Sequence, residues 1–294
     1  MVGASFSLRT GLLVNKNIKK SFYCNLIVVL IFFSIFSPFL SYGSWLPDVS
    51  LKPSGSIYFG KYTGNSERYN LDAGVDVSVS LLSWERTDFF VEYISNLEMA
   101  KQVGNVTFDP RYAHYFINGG FKVEKCGYVF KSYLVHDCKH IIDFPPDSNK
   151  VVFNRLKFSV SRNLNGFVDR FQIRQVQKSR KRRPRWQFIY GFYPQSKVID
   201  YLNSKSYYRH DFEGKLEFPI LFLSKAELFS GLRGRYVVSA NHPARYYREL
   251  SFLLEAVWFN ENGALSFYIE NIPLDNDPLK SPEGLSIIGM RYYF

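Results

Sequence analysis

Glu283-Gly284-Leu285-Ser286-Ile287-Ile288-Gly289-Met290-Arg291-Tyr292-Tyr293-Phe294 closes the chain, and its reading decides the fold. Successive side chains of a strand point to opposite faces. Ile288, Met290, Tyr292 and Phe294 therefore share one face, while Gly289, Arg291 and Tyr293 share the other. The first face is apolar throughout and the second carries a charge.

The same alternation recurs from residue 55 to the end, and no stretch of comparable length keeps a helical period. Between Tyr69 and Leu81 the odd positions are apolar, while Asn70, Asp72, Asp76, Ser78 and Ser80 fill even ones. Between Tyr208 and Phe222 one face holds Phe212, Leu216, Phe218, Ile220 and Phe222, and the other Arg209, Asp211, Glu213, Lys215 and Glu217. The pattern predicts twelve strands, near residues 55–63, 67–82, 86–98, 109–125, 128–143, 150–162, 185–196, 204–222, 226–239, 243–260, 264–272 and 283–294.

A long apolar face opposite a charged one, ending on a C-terminal aromatic, resembles the strands of bacterial outer-membrane β-barrels. The resemblance implies an all-β, antiparallel, up-and-down transmembrane barrel in the outer membrane of a Gram-negative bacterium. The 28 Phe and 21 Tyr suit the aromatic girdles of such a barrel. A soluble β-sandwich is the competing fold, and the two chain ends argue against it.

At the N-terminus, Lys16, Lys19 and Lys20 precede an apolar run from Leu26 to Leu40, and Ser41-Tyr42-Gly43-Ser44 supplies small residues. That is the grammar of a secretory signal. The expected division is residues 1–44 as signal peptide and 45–294 as barrel. The apolar run is about 15 residues, short of the roughly 20 that a spanning helix needs. Cys24 precedes the apolar run, so a lipoprotein anchor is not indicated. Cys126 and Cys138 fall near opposite ends of one predicted strand, roughly 40 Å apart, and read as free thiols.

An even strand number puts both barrel termini on the periplasmic side. Tight turns at 83–85, 126–127, 224–225 and 261–263 then fall there, and longer connections such as 99–109 and 273–282 fall outside. Residues 163–184 are the exception, a long periplasmic link carrying Lys178, Arg180, Lys181, Arg182 and Arg183. It reads as a solvated basic loop; shifted outside by one strand, the same cluster would meet lipopolysaccharide phosphates. The net charge of +11 does not point to nucleic acid, since four of the positive charges lie in the signal region and export separates the chain from such a partner.

One constellation carries candidate chemistry. In Tyr133-Leu134-Val135-His136-Asp137-Cys138-Lys139-His140 the even positions continue the apolar face of Tyr128, Phe130 and Leu134. His136, Cys138 and His140 are thus expected to face lipid near the extracellular end of an upward strand, where polar groups cost free energy and ask for a function. On the next strand Asn154 stands among Val152, Leu156, Phe158 and Val160 on the matching face. A nucleophile, a base and a group orienting the base are the parts of nucleophilic catalysis.

Here His136-Asp137-Cys138, followed by Phe153-Asn154-Arg155, resembles outer membrane phospholipase A, whose motif reads His-x-Ser-Asn-Gly and then Trp-Asn-Arg. The resemblance covers about 25 residues. It implies His136 as base, Cys138 in the place of the serine nucleophile, and Asn154 holding the imidazole. It further implies hydrolysis of acyl esters of outer-leaflet phospholipids, calcium as cofactor, and a homodimer. Cys replaces the serine here, and Lys139-His140 replaces the Asn-Gly that follows it.

Two other readings of these residues stay open. The imidazoles belong to an interfacial belt with Cys138 as a small apolar residue, or two of the three even-face residues share a metal ion, since the outer pair lies about 13 Å apart along the strand. His210, beside Tyr208 and Phe212, reads as interfacial, and Glu249 and Glu255 as lumen carboxylates paired with arginines such as Arg233 and Arg235. The function outside the enzyme class is a structural or transport barrel, whose charged interior would leave at most a narrow channel.

Overall fold

The computed structural model describes residues 46–64, 67–100, 110–141, 150–162, 184–193, 208–239, 247–277 and 282–294. The signal region and the basic cluster at 178–183 lie outside the described residues. The chain divides into two units, Met1–Pro47 and Asp48–Phe294. The second contains β1 (Asp48–Tyr62), β2 (Leu71–Trp84), β3 (Thr87–Met99), β4 (Pro110–Lys125), β5 (Tyr128–Ile141) and β6 (Lys150–Arg162). It continues with β7 (Arg185–Phe192), β8 (Tyr208–Phe222), β9 (Ala226–Ser239), β10 (Tyr247–Phe259), β11 (Ala264–Asp275) and β12 (Leu285–Tyr293).

Each strand pairs antiparallel with its neighbours in sequence, and β12 returns to β1, with Ser56 opposite Tyr293 and Tyr62 opposite Ile287. The result is a closed twelve-stranded up-and-down barrel, as expected. Closure leaves no unpaired sheet edge, the condition for a sheet to stand in hydrocarbon.

The last strand behaves as its alternation requires. Ile288, Met290 and Tyr292 are exposed on the outer surface, at 54%, 45% and 38%, while Tyr293 is buried inside. Gly289 and Gly60 make room for the ring of Tyr268, which lies inside the barrel under the Arg291 guanidinium, 4.9 Å from ring centroid to Cζ. The lumen is not purely polar: Phe90, Tyr133 and Val135 form one inner apolar cluster, and Phe229, Val257, Ala264 and Tyr293 another.

Several expectations need correction. β1 begins at Asp48 instead of 55, and β11 runs to Asp275 instead of 272. Pro53 and Pro273 fall inside these longer strands, and both lie beyond the reach of β12, whose pairing stops at Ser56 on β1 and at Ile272 on β11. There each strand has a partner on one side only, and a residue without an N–H is tolerated. In β8 a register shift between Pro219 and Leu221 places both Ile220 and Leu221 outside and turns Phe222 off the lipid face, opposite Glu227. A bulge adds one residue and reverses the parity beyond it. Tyr69 precedes β2, so strand parity does not reach it, and it packs in a buried cluster with Tyr62, Tyr268, Ile272 and Ile287.

A methyl group at Gly289 would sit 2.5 Å from Tyr268 Cζ and 2.6 Å from the Phe59 carbonyl oxygen, whereas one at Gly214 meets nothing within 4 Å. Gly289→Ala is expected to lower the unfolding free energy by about 1–3 kcal/mol, and Gly214→Ala to stay within about 0.5 kcal/mol. Urea titration of the detergent-folded barrel, followed by its heat-modifiable gel migration, measures both.

Candidate functional site

The site is built on β5 and β6. At the near end of β5 the two-residue turn at Cys126 and Gly127, with φ of 54° and 77°, matches the twist of the flanking strands and sets Lys125 opposite Tyr128. Counting up from there, Leu134 and His136 are exposed on the outer face and Cys138 and His140 are half-buried on it, while Val135, Asp137 and Lys139 are buried inside. The tight turns at 85–86, 126–127, 223–225 and 260–263 share the end of the barrel where β12 stops. That end is the periplasmic one in barrels of this kind, so the row His136, Cys138, His140 belongs to the outer half.

β6 pairs with β5 so that His136 stands directly opposite Asn154. The two side chains meet on the outer surface, His136 Nδ1 lying 2.9 Å from Asn154 Oδ1. A carboxamide oxygen can only accept, so this contact defines the tautomer with the proton on Nδ1 and leaves a lone pair on Nε2. The expected base and its orienting group are therefore together. Cys138 is in the same row, and its Sγ lies 2.7 Å from His140 Nε2. His140, whose ring also meets Tyr115 edge-on, is thus the thiol's bonded neighbour, where the motif resemblance names His136.

Directly behind this surface the inner wall is lined with paired charge. Arg155 Nη2 donates to Asp137 Oδ2 at 2.7 Å, and its Nη1 donates to Asp211 Oδ2 at 2.7 Å and to the Tyr193 hydroxyl at 2.9 Å. Asp211 also accepts from Arg235 at 3.0 Å, and His114 Nε2 holds Asp137 Oδ1 at 2.5 Å. Lys157 meets Glu213 at 3.2 Å, Lys139 meets Asp277 at 2.5 Å, and Arg185 bridges Glu217 and Glu227. Arg233 pairs with Glu249 as expected, at 3.4 Å. Glu255 also lies inside and pairs with an arginine, Arg291 at 3.8 Å, while accepting from the Tyr293 hydroxyl at 2.7 Å.

His210 lies on the outer face bonded to the Tyr190 hydroxyl at 2.9 Å, with the two rings stacked, which suits an interfacial pair. Among the described residues no three His, Cys, Asp or Glu side chains gather in a metal-binding group. Calcium takes six to eight oxygen ligands, and the contact that the geometry shows at Cys138 is to a histidine nitrogen.

An apolar outer wall around a paired, charged lumen defines the class: a transmembrane outer-membrane β-barrel. Comparison of folds returns proteins of that class. An active-site mutant of outer membrane phospholipase A from Escherichia coli superposes with a TM-score of 0.50 at 10% identity, over 83% of this chain and 90% of that one. The Salmonella typhi outer membrane phospholipase dimer with bound calcium gives 0.49 at 10% identity, over the same 83% and 90%. An outer membrane channel from Pseudomonas putida F1 gives 0.48 at 9% identity, over 84% and 95%. At these identities the likeness is one of fold. No protein-family model matches the chain, and no curated protein sequence matches it.

Asp211 has a side chain with no exposed surface and two guanidinium partners. Removing one member of such a buried ionic group leaves the others uncompensated and costs about 3–5 kcal/mol. Asp211→Ala is expected to destabilise the folded barrel by about that amount, read as a lowered urea midpoint.

Proposed function

We propose that the chain is an outer-membrane hydrolase of lipid acyl esters that uses Cys138 as its nucleophile. The observation that carries this reading is the His136–Asn154 contact on the lipid-facing surface, with Cys138 in the same outward row. Asn154 fixes the imidazole with Nε2 as the basic nitrogen, and a rotation about χ1 of Cys138 swings its sulfur along the strand between the two flanking imidazoles. Substrate reaches such a site from the bilayer without entering the lumen.

The reaction divides into two halves. His136 Nε2 takes the thiol proton while the sulfur attacks the ester carbonyl carbon, and the carbonyl electron pair moves onto oxygen. The oxyanion re-forms its double bond, the carbon–oxygen bond to the lysolipid breaks, and the imidazolium returns its proton to the departing alkoxide. Water then gives a proton to His136 and adds to the thioester. The carbon–sulfur bond breaks, the thiolate recovers the proton, and a fatty acid leaves. Calcium and a homodimer enter this reading through the motif resemblance alone.

A transport barrel is the other reading. The buried ionic network along the inner wall from Asp137 through Arg155 to Asp211, with Lys139 bonded to Asp277 beyond β11, favours the surface site over a solute path.

Hydrolysis of phosphatidylcholine in mixed micelles by the detergent-folded chain tests the proposal, with calcium and with chelator. Wild type is expected to release fatty acid, Cys138→Ala none, and His136→Ala about 10²- to 10⁴-fold less. Asn154→Ala is expected to lower kcat by a smaller factor with KM little changed. No acyl release above a Cys138→Ala control in either condition would sink the enzyme reading, and stepwise conductance in planar bilayers would replace it with transport.

A further inference from the structure

Alternation leaves three groups on the outer wall of β5 that can ligate a metal, and spacing lets either neighbouring pair share one ion. The side-chain geometry chooses between the two pairs. His136 Nδ1 is engaged with Asn154 Oδ1 at 2.9 Å on β6, whereas Cys138 Sγ is turned the other way and lies 2.7 Å from His140 Nε2. A thiol and an imidazole nitrogen have thus already converged. Tyr115, which stands opposite Cys138 on β4, meets the His140 ring edge-on at 5.8 Å between centroids and braces it.

The chemistry of the pair selects its ligand. Thiolate sulfur and imidazole nitrogen suit zinc and its borderline-soft relatives, while calcium and magnesium take oxygen. Zinc holds sulfur at about 2.3 Å and nitrogen at about 2.0 Å, so a tetrahedral ion sets the two atoms roughly 3.5 Å apart. From the observed 2.7 Å that asks for a small turn of one side chain. The charged neighbours on β5 point away from this face: Asp137 is bonded inside to Arg155 and His114, and Lys139 inside to Asp277. Cys138 and His140 are half-buried, and His140 lies next to Ile141 at the end of β5, so water at the outer edge is near enough to complete the coordination.

We propose that Cys138 and His140 form a two-residue site for a zinc-type divalent ion on the outer wall, in which the ion takes the place of the proton shared by sulfur and nitrogen. The sulfur–hydrogen bond breaks, metal–sulfur and metal–nitrogen bonds form, and one proton passes to solvent. With water in the remaining positions, binding is reversible and open to a chelator. An ion held there occupies the sulfur and so shuts off acyl transfer. That consequence rests on the proposed hydrolysis, whereas the site itself is read without substrate.

The test uses the full chain folded in detergent and kept reduced, with Cys24→Ser and Cys126→Ser so that Cys138 is the one thiol. Cobalt(II), which enters zinc sites and reports a bound thiolate by a near-ultraviolet charge-transfer band, is titrated in and then displaced with zinc. A band that saturates at one ion per chain and vanishes on adding zinc is expected. Cys138→Ser is expected to abolish it, His140→Ala to weaken cobalt binding about tenfold or more, and His136→Ala to leave it unchanged. Should His140→Ala fail to fold, His140→Phe keeps a ring beside Tyr115 and takes its place under the same expectation.

No thiolate band in the folded chain, or a band that the His140 variant leaves at full affinity, overturns the proposal. Loss of the band in His136→Ala alone overturns it too, by assigning the ion to the other pair. Fatty-acid release from phosphatidylcholine by wild type is expected to stop with zinc and return with chelator. A band without any hydrolysis upholds the site and removes only the hydrolase reading. Hydrolysis that runs unslowed with the ion bound upholds the site and removes Cys138 as the nucleophile.

Discussion

The ion pairs that Arg155 makes with Asp137 and Asp211 are the interaction on which the other features hang. Closing twelve strands leaves a narrow interior that the side chains of the inner wall must fill, and here many of them are charged. A buried guanidinium is tolerated only when its partners are in place. Arg155 finds them on β5 and β8 together, so one side chain ties neighbouring strands of the inner wall across β7. Replacing such a group wholesale by apolar residues is often neutral for stability. Its presence therefore speaks for specificity of arrangement more than for raw stability.

On the outer wall the opposite constraint holds. Polar groups there face hydrocarbon and cost free energy unless they satisfy one another. His136 and Asn154 do so across two strands, and Tyr190 and His210 do so on the neighbouring pair of strands. The two pairs are alike as cross-strand contacts and differ in chemistry. Tyr190 and His210 offer a belt, whereas His136 has a thiol two residues along its own strand. A row of imidazole, thiol and imidazole on the outer wall, backed by an inner wall lined with buried ion pairs, is why the proposed hydrolysis is placed on the surface of the barrel.

Strand number, antiparallel order, lumen polarity and the outward row were legible because each follows from a period of two that covers nearly the whole chain. The meeting of His136 with Asn154 was also within reach, because their faces matched and their strands were neighbours. What escaped the pattern was everything that breaks or ignores parity. The bulge near Ile220 reverses it, and Pro53 and Pro273 sit in strands because the far partner has already ended. Partners two strands apart on the inner wall, such as Glu255 with Arg291, depend on the registers of the strand pairs between them, which alternation along one strand does not encode. The thiol's contact with His140 is a choice of rotamer, and spacing alone offers Cys138 two equivalent imidazoles.

Mass spectrometry of the intact detergent-folded chain, quenched in acid during incubation with phosphatidylcholine, probes the covalent step itself. An acyl-sized mass increase that maps to the peptide containing Cys138, disappears on treatment with hydroxylamine and is absent from His136→Ala is the predicted result. A chain that stays unmodified at Cys138 while lipid is hydrolysed, or that never acquires the adduct with excess lipid, would contradict a thiol nucleophile on the outer wall.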